Sequence, residues 1–202
     1  AKLIDPDRAT PFVHGTPGSG GTIYLTAADE SGMMVSLIQS NYQGFGSGIV
    51  VPGTGISLQN RGSGFSLEAR HPNEVGPGKR PFHTIIPGFM TRNGAPVLSF
   101  GIMGGSMQPQ AHLQTMVRLL DHGQNPQACL DAPRWRVDPG HMVDLEGQAA
   151  EELRSGLLAM GHTLMPQYDA YMDFGAGQFA YKVDGGYVAG SDSRRDGHAV
   201  GF

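Results

Sequence analysis

Strand-forming and helix-forming runs lie in separate blocks along this chain, and that order argues against a doubly wound fold of repeated βαβ units. Residues 22–28, Thr-Ile-Tyr-Leu-Thr-Ala-Ala, and residues 33–40 are separated by the turn-forming Asp29-Glu30-Ser31-Gly32, which predicts a hairpin. Their apolar and small residues run almost without interruption, which predicts burial on both faces. Residues 84–91 and 95–101 flank Arg92-Asn93-Gly94, and Asn-Gly between such runs is a strong hairpin signal. Helical spacing follows: Leu113, Met116, Val117 and Leu120 share one face of residues 109–122, with Pro109 suited to the first turn and Gly123 to the stop. A second helix is predicted over 148–160, with Leu153, Leu157 and Met160 on one face and Gly161 closing it. Strands return at 163–167, 178–183 and 187–190, the last two joined through Asp184-Gly185-Gly186. The expected class is therefore α+β with mainly antiparallel sheet.

A chain of 202 residues with 39% hydrophobic and 16% charged residues suits one globular domain with a substantial core. Met33, Met34 and Met103 are expected in that core. The net charge of −4 gives no basic footprint, so neither nucleic acid nor an anionic membrane is an expected partner. No apolar run nears the roughly 20 residues of a membrane span. Cys129 is the sole cysteine, which excludes an internal disulfide and a cysteine zinc site. His112 and His122 lie ten residues apart on the predicted helix, a poor ligand spacing; no metal and no cofactor are assigned.

Glycine is the compositional outlier, at 31 of 202 residues, about twice the usual 7%. One cluster, Gly18-Ser19-Gly20-Gly21, stands directly before Thr22. Were the Gly21-Thr22 bond cut, Thr22 would carry nucleophile and base together, because a free α-amine with a pKa of about 7.7 to 8.0 can take the hydroxyl's proton. The same residues, from Gly15 to Thr22, come close to a phosphate-binding loop but put Gly21 where the lysine belongs and a strand where a helix should start. A plain linker is the third reading. Met103-Gly104-Gly105-Ser106 joins a predicted strand to a predicted helix, where backbone N–H groups can converge on an oxyanion or simply make the turn. His83-Thr84 could contact a substrate carboxylate or be structural. Ser191-Asp192-Ser193-Arg194-Arg195-Asp196 reads either as a solvated tail or as an ion-paired lining of the site.

Taken in order, several segments resemble the small catalytic subunit of the γ-glutamyltranspeptidase family of N-terminal nucleophile hydrolases. They are Thr22-Ile23-Tyr24 leading into Asp29-Glu30-Ser31-Gly32, then Gly44-Phe45-Gly46-Ser47-Gly48-Ile49-Val50, Gly76-Pro77-Gly78-Lys79-Arg80-Pro81, Met103-Gly104-Gly105-Ser106 and Asp131-Ala132-Pro133-Arg134. The resemblance covers residues 22–202 and implies a four-layer αββα sandwich, with this chain supplying the small-subunit half. It makes residues 1–21 the end of a large subunit from the same precursor, which becomes the partner in a heterodimer, and Gly21-Thr22 the self-cleavage site. It further implies Thr22 as the nucleophile, Gly104 and Gly105 as the oxyanion hole, and Ser40 as the hydroxyl beside the nucleophile. A periplasmic or secreted location is implied too, while the composition leaves the cytoplasm open.

The pocket departs from the family pattern. The acidic residue that grips the donor's α-amino group falls at Gly64, a neighbouring glutamine at Arg61, the paired serines that hold the α-carboxylate at His83 and Thr84, and an asparagine contact at Tyr42. Tyr42, Arg61, His83 and Thr84 are thus the substrate-binding candidates. Loss of a carboxylate at 64 removes a charge-assisted partner for an ammonium, which resembles the divergent branch that shades into β-lactam acylases. The expected activity is hydrolysis of a small-molecule amide, a γ-glutamyl compound such as glutathione or a related acyl amide, ahead of transfer. The rival is a non-catalytic binding or assembly module that keeps the fold unprocessed, since an internal Thr22 has an amide where its base should be.

Overall fold

The computed structural model describes residues 21–138, 142–165 and 174–202. In chain order these form β1 (Thr22–Ala28), β2 (Met34–Ser40), β3 (Gly88–Arg92) and β4 (Ala95–Met103). There follow helices α1 (Met107–Leu120) and α2 (Pro126–Asp131), strands β5 (Trp135–Asp138) and β6 (Met142–Leu145), and helix α3 (Glu151–Ala159). The strands β7 (Thr163–Leu164), β8 (Ala176–Val183) and β9 (Gly186–Ser191) complete them. The linker and phosphate-loop readings of residues 1–20, and the end of the strand expected at 163–167, lie outside the described residues.

The first hairpin pairs Thr22 with Ser40 and Ala28 with Met34. Its turn closes on the Asp29 carboxylate, which accepts from the backbone N–H of Ser31 (2.9 Å) and Met33 (3.1 Å) and from the Ser31 hydroxyl (2.6 Å), an Asx turn. Those bonds, with burial as the smaller opposing effect, hold the Asp29 carboxyl below its ordinary pKa. The second hairpin turns at Asn93 and Gly94, both with positive φ (53° and 80°), as a two-residue I′ turn requires. Its strands extend the second sheet, ordered β3-β4-β8-β9 and antiparallel throughout.

β4 is buried on both faces, and the strand period of two decides what each face meets. Leu98, Phe100 and Ile102 join Met107, Ala111 and Leu119 of α1, Cys129 and Leu130 of α2, and Phe174 and Phe179 in the apolar core. Each fully buried side chain of this size contributes about 1.5–3 kcal/mol. The alternate residues Ser99 and Gly101 face the β1–β2 hairpin. Ser99 Oγ accepts from Thr26 Oγ1 (2.7 Å) and donates to the Val35 carbonyl (2.8 Å); a Cβ on Gly101 would lie 2.4 Å from the Tyr24 ring. Helices, four-stranded sheet and hairpin are three successive layers of the αββα sandwich.

Several expectations fail on burial. The hairpin is buried on one face only: Tyr24 is 7% exposed, whereas Ile23, Leu25, Val35 and Leu37 are exposed on the other side, because β1 and β2 pack on β4 and β8 alone among the major contacts. Met33 is exposed at the turn, and Met34 and Met103 are half-buried. In α1, Leu113, Val117 and Leu120 face outward; Met107, Ala111, Thr115 and Leu119, spaced four apart, make the buried side along the whole helix, and of the expected face Met116 packs against the core. Leu153 of α3 and Met160 just beyond its end are likewise exposed.

The segregated pattern has one exception. β6, α3 and β7 form a βαβ unit with β6 and β7 parallel, beside antiparallel β5. This third sheet is fastened to α1 by Gln110 and Gln114, one turn apart. Gln114 donates to the Trp135 carbonyl (2.8 Å) and accepts its N–H (2.9 Å), and Gln110 does the same at Val137.

Candidate active site

Thr22 opens β1 with 9% of its surface exposed. The hairpin register sets Ser40 directly opposite, and Thr22 Oγ1 donates to Ser40 Oγ at 2.9 Å. The same Ser40 oxygen accepts the Tyr42 backbone N–H at 2.8 Å, so both of its lone pairs are engaged. Tyr42 has a φ of 75°, a costly conformation for an aromatic residue and one that clusters at functional sites.

At the far end of β4, Gly104 and Gly105 have φ of 142° and 59°, backbone geometry that disfavours a side chain. Helix α1 grows from them: Gly104 and Gly105 carbonyls accept the N–H groups of Met107 (3.1 Å) and Gln108 (3.2 Å). Gly175 supports the turn from behind. A Cβ on Gly104 would lie 2.9 Å from Gly175 Cα, and one on Gly175 (φ 68°) would lie 2.2 Å from the Met103 carbonyl oxygen. Thr22 and Met103 line one cavity of about 330 Å³, together with Ala176, Gln178, Arg195 and Asp196.

A buried ionic network holds Gly175 in place. Arg134, 1% exposed, donates through Nη1 to the carbonyls of Phe174 (2.9 Å) and Gly175 (3.0 Å) and through Nη2 to Asp192 (2.5 Å). Asp192 also accepts the Gly177 N–H (3.1 Å) and pairs with Arg194 (3.1 Å). Arg194 in turn binds Glu146 through Nε (2.6 Å) and Nη2, and Glu146 accepts the Arg134 N–H (2.7 Å). Two cations face two carboxylates, the balance a buried cluster needs. Burial lowers the Arg134 pKa against the pull of Asp192. Burial acts the same way on Arg194, but the Glu146 hydrogen bond and the Asp192 charge outweigh it and raise the pKa. Of the two readings of the cluster from Ser191 to Asp196, the ion-paired one describes Asp192 and Arg194. Arg134 was visible only as the end of a motif, and Glu146 carried no signal.

His112 of α1 braces the same strand. Its Nε2 accepts the Ile102 N–H at 3.1 Å and its ring lies 5.0 Å from that of Phe100. Burial first, and the Arg134 charge second, push its pKa down to about 4, so it is neutral at pH 7 and its tautomer carries the proton on Nδ1.

The substrate-binding candidates divide. Arg61, 4% exposed, opens a 3₁₀ turn (Arg61–Gly64); its Nη1 donates to Thr84 Oγ1 at 2.8 Å, and its guanidinium carbon stands 5.0 Å from the centre of the Tyr42 ring, a cation–π contact. Burial lowers its pKa. Tyr42, Arg61 and Thr84 are therefore one cluster. His83 is exposed and its ring nitrogen lies 3.4 Å from the nearby Ile85 carbonyl, away from that cluster's contacts.

Compared with known proteins, residues 1–202 match the family model described as Gamma-glutamyltranspeptidase. The chain is 36% identical over 208 residues to the oxamate amidohydrolase proenzyme of Klebsiella pneumoniae, covering 100% of this chain and 39% of that protein. It is 39% identical over 195 residues to the glutathione hydrolase-like YwrD proenzyme of Bacillus subtilis, covering 92% and 37%. Among solved structures, the cephalosporin acylase of Bacillus halodurans superposes with a TM-score of 0.79 at 49% identity, over 87% of this chain and 33% of that one. A γ-glutamyltranspeptidase mutant from Pseudomonas nitroreducens gives 0.74 at 26%, over 89% and 97%. The chain thus spans about two fifths of the length of the curated relatives it matches.

Proposed function

This chain belongs to the γ-glutamyltranspeptidase family, and from that premise we propose that it is the catalytic part of an amide hydrolase that cuts its own precursor at Gly21-Thr22. Residues 1–21 are then the end of the large subunit and 22–202 the small one. That the match takes in 97% of a chain in the Pseudomonas nitroreducens structure supports a small subunit of this size. The observation that carries the reading is the placement of Thr22, at the head of β1, with its hydroxyl on Ser40 and sharing a cavity with Met103, the residue before the glycine turn.

In the precursor, Thr22 Oγ adds to the Gly21 carbonyl and the Thr22 nitrogen leaves as an amine, so the amide becomes an ester. Water hydrolyses that ester, releasing the Gly21 carboxylate and restoring the hydroxyl. In turnover the freed α-amine takes the hydroxyl proton as Oγ attacks a substrate amide and hands it to the departing amine. Gly104 and Gly105 N–H groups hold the oxyanion, each such donor contributing about 3–4 kcal/mol. Water then releases the acid; an amine acceptor in its place gives transfer. The acyl group comes from a γ-glutamyl compound or a related acyl amide, in keeping with relatives named as a glutathione hydrolase-like protein, an oxamate amidohydrolase and an acylase.

The test is expression of the complete gene with and without Thr22→Ala, followed by denaturing electrophoresis, N-terminal sequencing and assay on acyl-amide chromogens. A product that begins at Thr22 and is lost in the variant is expected. A variant that still splits, or a wild-type chain that stays whole on prolonged incubation, refutes the assignment, and the latter favours the binding module.

A further inference from the structure

We infer that Arg61 is the anchor for a carboxylate on the acyl half of the substrate, so that this site takes the half-amide of a small dicarboxylic acid lacking an α-ammonium. The inference rests on Thr22 as the nucleophile only for where the amide lies.

Among the described residues Arg61 is a buried cation left without a counter-charge. Its guanidinium stays protonated at any working pH, and a buried charge is costly unless paired. Arg134 and Arg194 obey that rule through Asp192 and Glu146. Arg61, at 4% exposed against 1% for Arg134, has a hydroxyl and an aromatic face for neighbours, and its Nη2 is buried with no hydrogen-bond partner among the described residues. An anion is the group that completes it.

The remaining donors suit a carboxylate. Thr84 Oγ1 receives its bond from Arg61, so its own O–H is directed to a further acceptor. Arg61 Nη2 and Thr84 O–H then form a two-pronged donor set, the arrangement that charge-assisted recognition of a carboxylate uses. Tyr42 and Thr84 are half-buried at the rim, and the anion enters between them.

Position ties the cluster to the chemistry. Thr22 bonds Ser40, Ser40 accepts the Tyr42 N–H, and the Tyr42 ring stacks on Arg61. The acyl chain has only to bridge that succession of contacts. The 3₁₀ turn that starts at Arg61 continues Gly62-Ser63-Gly64, and the Ser63 hydroxyl is spent on the Asn60 carbonyl (2.9 Å). The turn offers an anion a cation and offers an ammonium no carboxylate.

The experiment uses the full processed protein and three p-nitroanilides that differ by one group at a time: γ-glutamyl, glutaryl (the same acyl group without its ammonium) and butyryl (glutaryl without its carboxylate). Wild type is expected to favour glutaryl over both others in kcat/KM, and Arg61→Gln to collapse the glutaryl-to-butyryl ratio by roughly 10- to 100-fold through KM, as loss of a charged hydrogen bond implies, with Arg61→Lys intermediate. Wild-type preference for γ-glutamyl, or an Arg61→Gln defect shared equally by glutaryl and butyryl, overturns the inference. A second arm does not depend on turnover. Glutarate binding to the processed protein, read by calorimetry, is expected to weaken at least roughly 10-fold in Arg61→Gln; equal glutarate affinity in wild type and Arg61→Gln, including no binding by either, overturns it. If the anchor arm holds while Thr22→Ala leaves turnover intact, the nucleophile is wrong and the anchor is not.

Discussion

Acidification should loosen β4 through His112 alone, by an amount that can be worked out. Its pKa falls from 6.5 to about 4 in the folded chain, so between those values the unfolded chain binds the proton and the folded one does not. Stability from this group is therefore fully present above about pH 6.5 and is lost as pH falls toward 4. The whole of that fall, at 1.36 kcal/mol for each pH unit, sets a ceiling of about 3 kcal/mol. At pH 4 the folded histidine is half protonated, and linkage gives a loss of about 3 kcal/mol relative to pH 7. Protonation also removes the lone pair that accepts the Ile102 N–H, one residue before Met103 and the glycine turn. The assay is urea denaturation of wild type and His112→Gln at several pH values from 7 to 4. Glutamine keeps an acceptor but does not titrate, so carboxylate effects common to both proteins cancel in the difference. The stability gap between them should shift by about 3 kcal/mol in favour of the variant at pH 4. A gap that stays constant with pH would show that His112 titrates normally and refute the reasoning.

Three further perturbations test the support of the site. Asp192→Ala strands the buried Arg134 charge and should cost about 3–5 kcal/mol, read as a lowered denaturation midpoint; an unchanged midpoint would mean that water already reaches Arg134. Gly175→Ala drives a Cβ onto the Met103 carbonyl oxygen at a φ of 68° and should cost about 2 kcal/mol or more, with turnover falling although Thr22 is untouched. Ser40→Ala removes the acceptor for Thr22 Oγ1, and a lost hydrogen bond of about 0.5–1.5 kcal/mol should slow self-cleavage roughly 3- to 10-fold on a timed gel. An unaltered rate would remove Ser40 from the site.

Local chemistry was legible in the sequence. The Asp29 turn length sets the first hairpin's register, and with it the pairing of Thr22 with Ser40. Asn93-Gly94 and the glycines that stop α1 and α3 adopt the positive φ that their residue type allows, 63° at Gly123 and 88° at Gly161. Met103-Gly104-Gly105 was readable as a strand-to-helix turn for the same reason. The short α2 was missed, although Asn125 caps it by accepting the Ala128 N–H and Pro126 begins it, because six residues show no apolar period. β5 and β6 escaped likewise as four-residue strands.

What the sequence determined by itself was therefore every feature that neighbouring residues specify together: turns, registers, helix ends, and a threonine at the head of a strand. Burial belonged to the tertiary structure. Leu113 and Val117 share an apolar face that is left exposed among the described residues, whereas Arg61 and Arg134, charged and unpromising as core residues, are almost wholly enclosed. A side chain's hydrophobicity states only what burial would be worth; which surface covers it depends on elements tens of residues away. Arg134 finds Asp192 at a separation of 58 residues and Arg61 finds Thr84 at 23. Only folding could show that, among the described residues, the first arginine meets a counter-charge and the second does not.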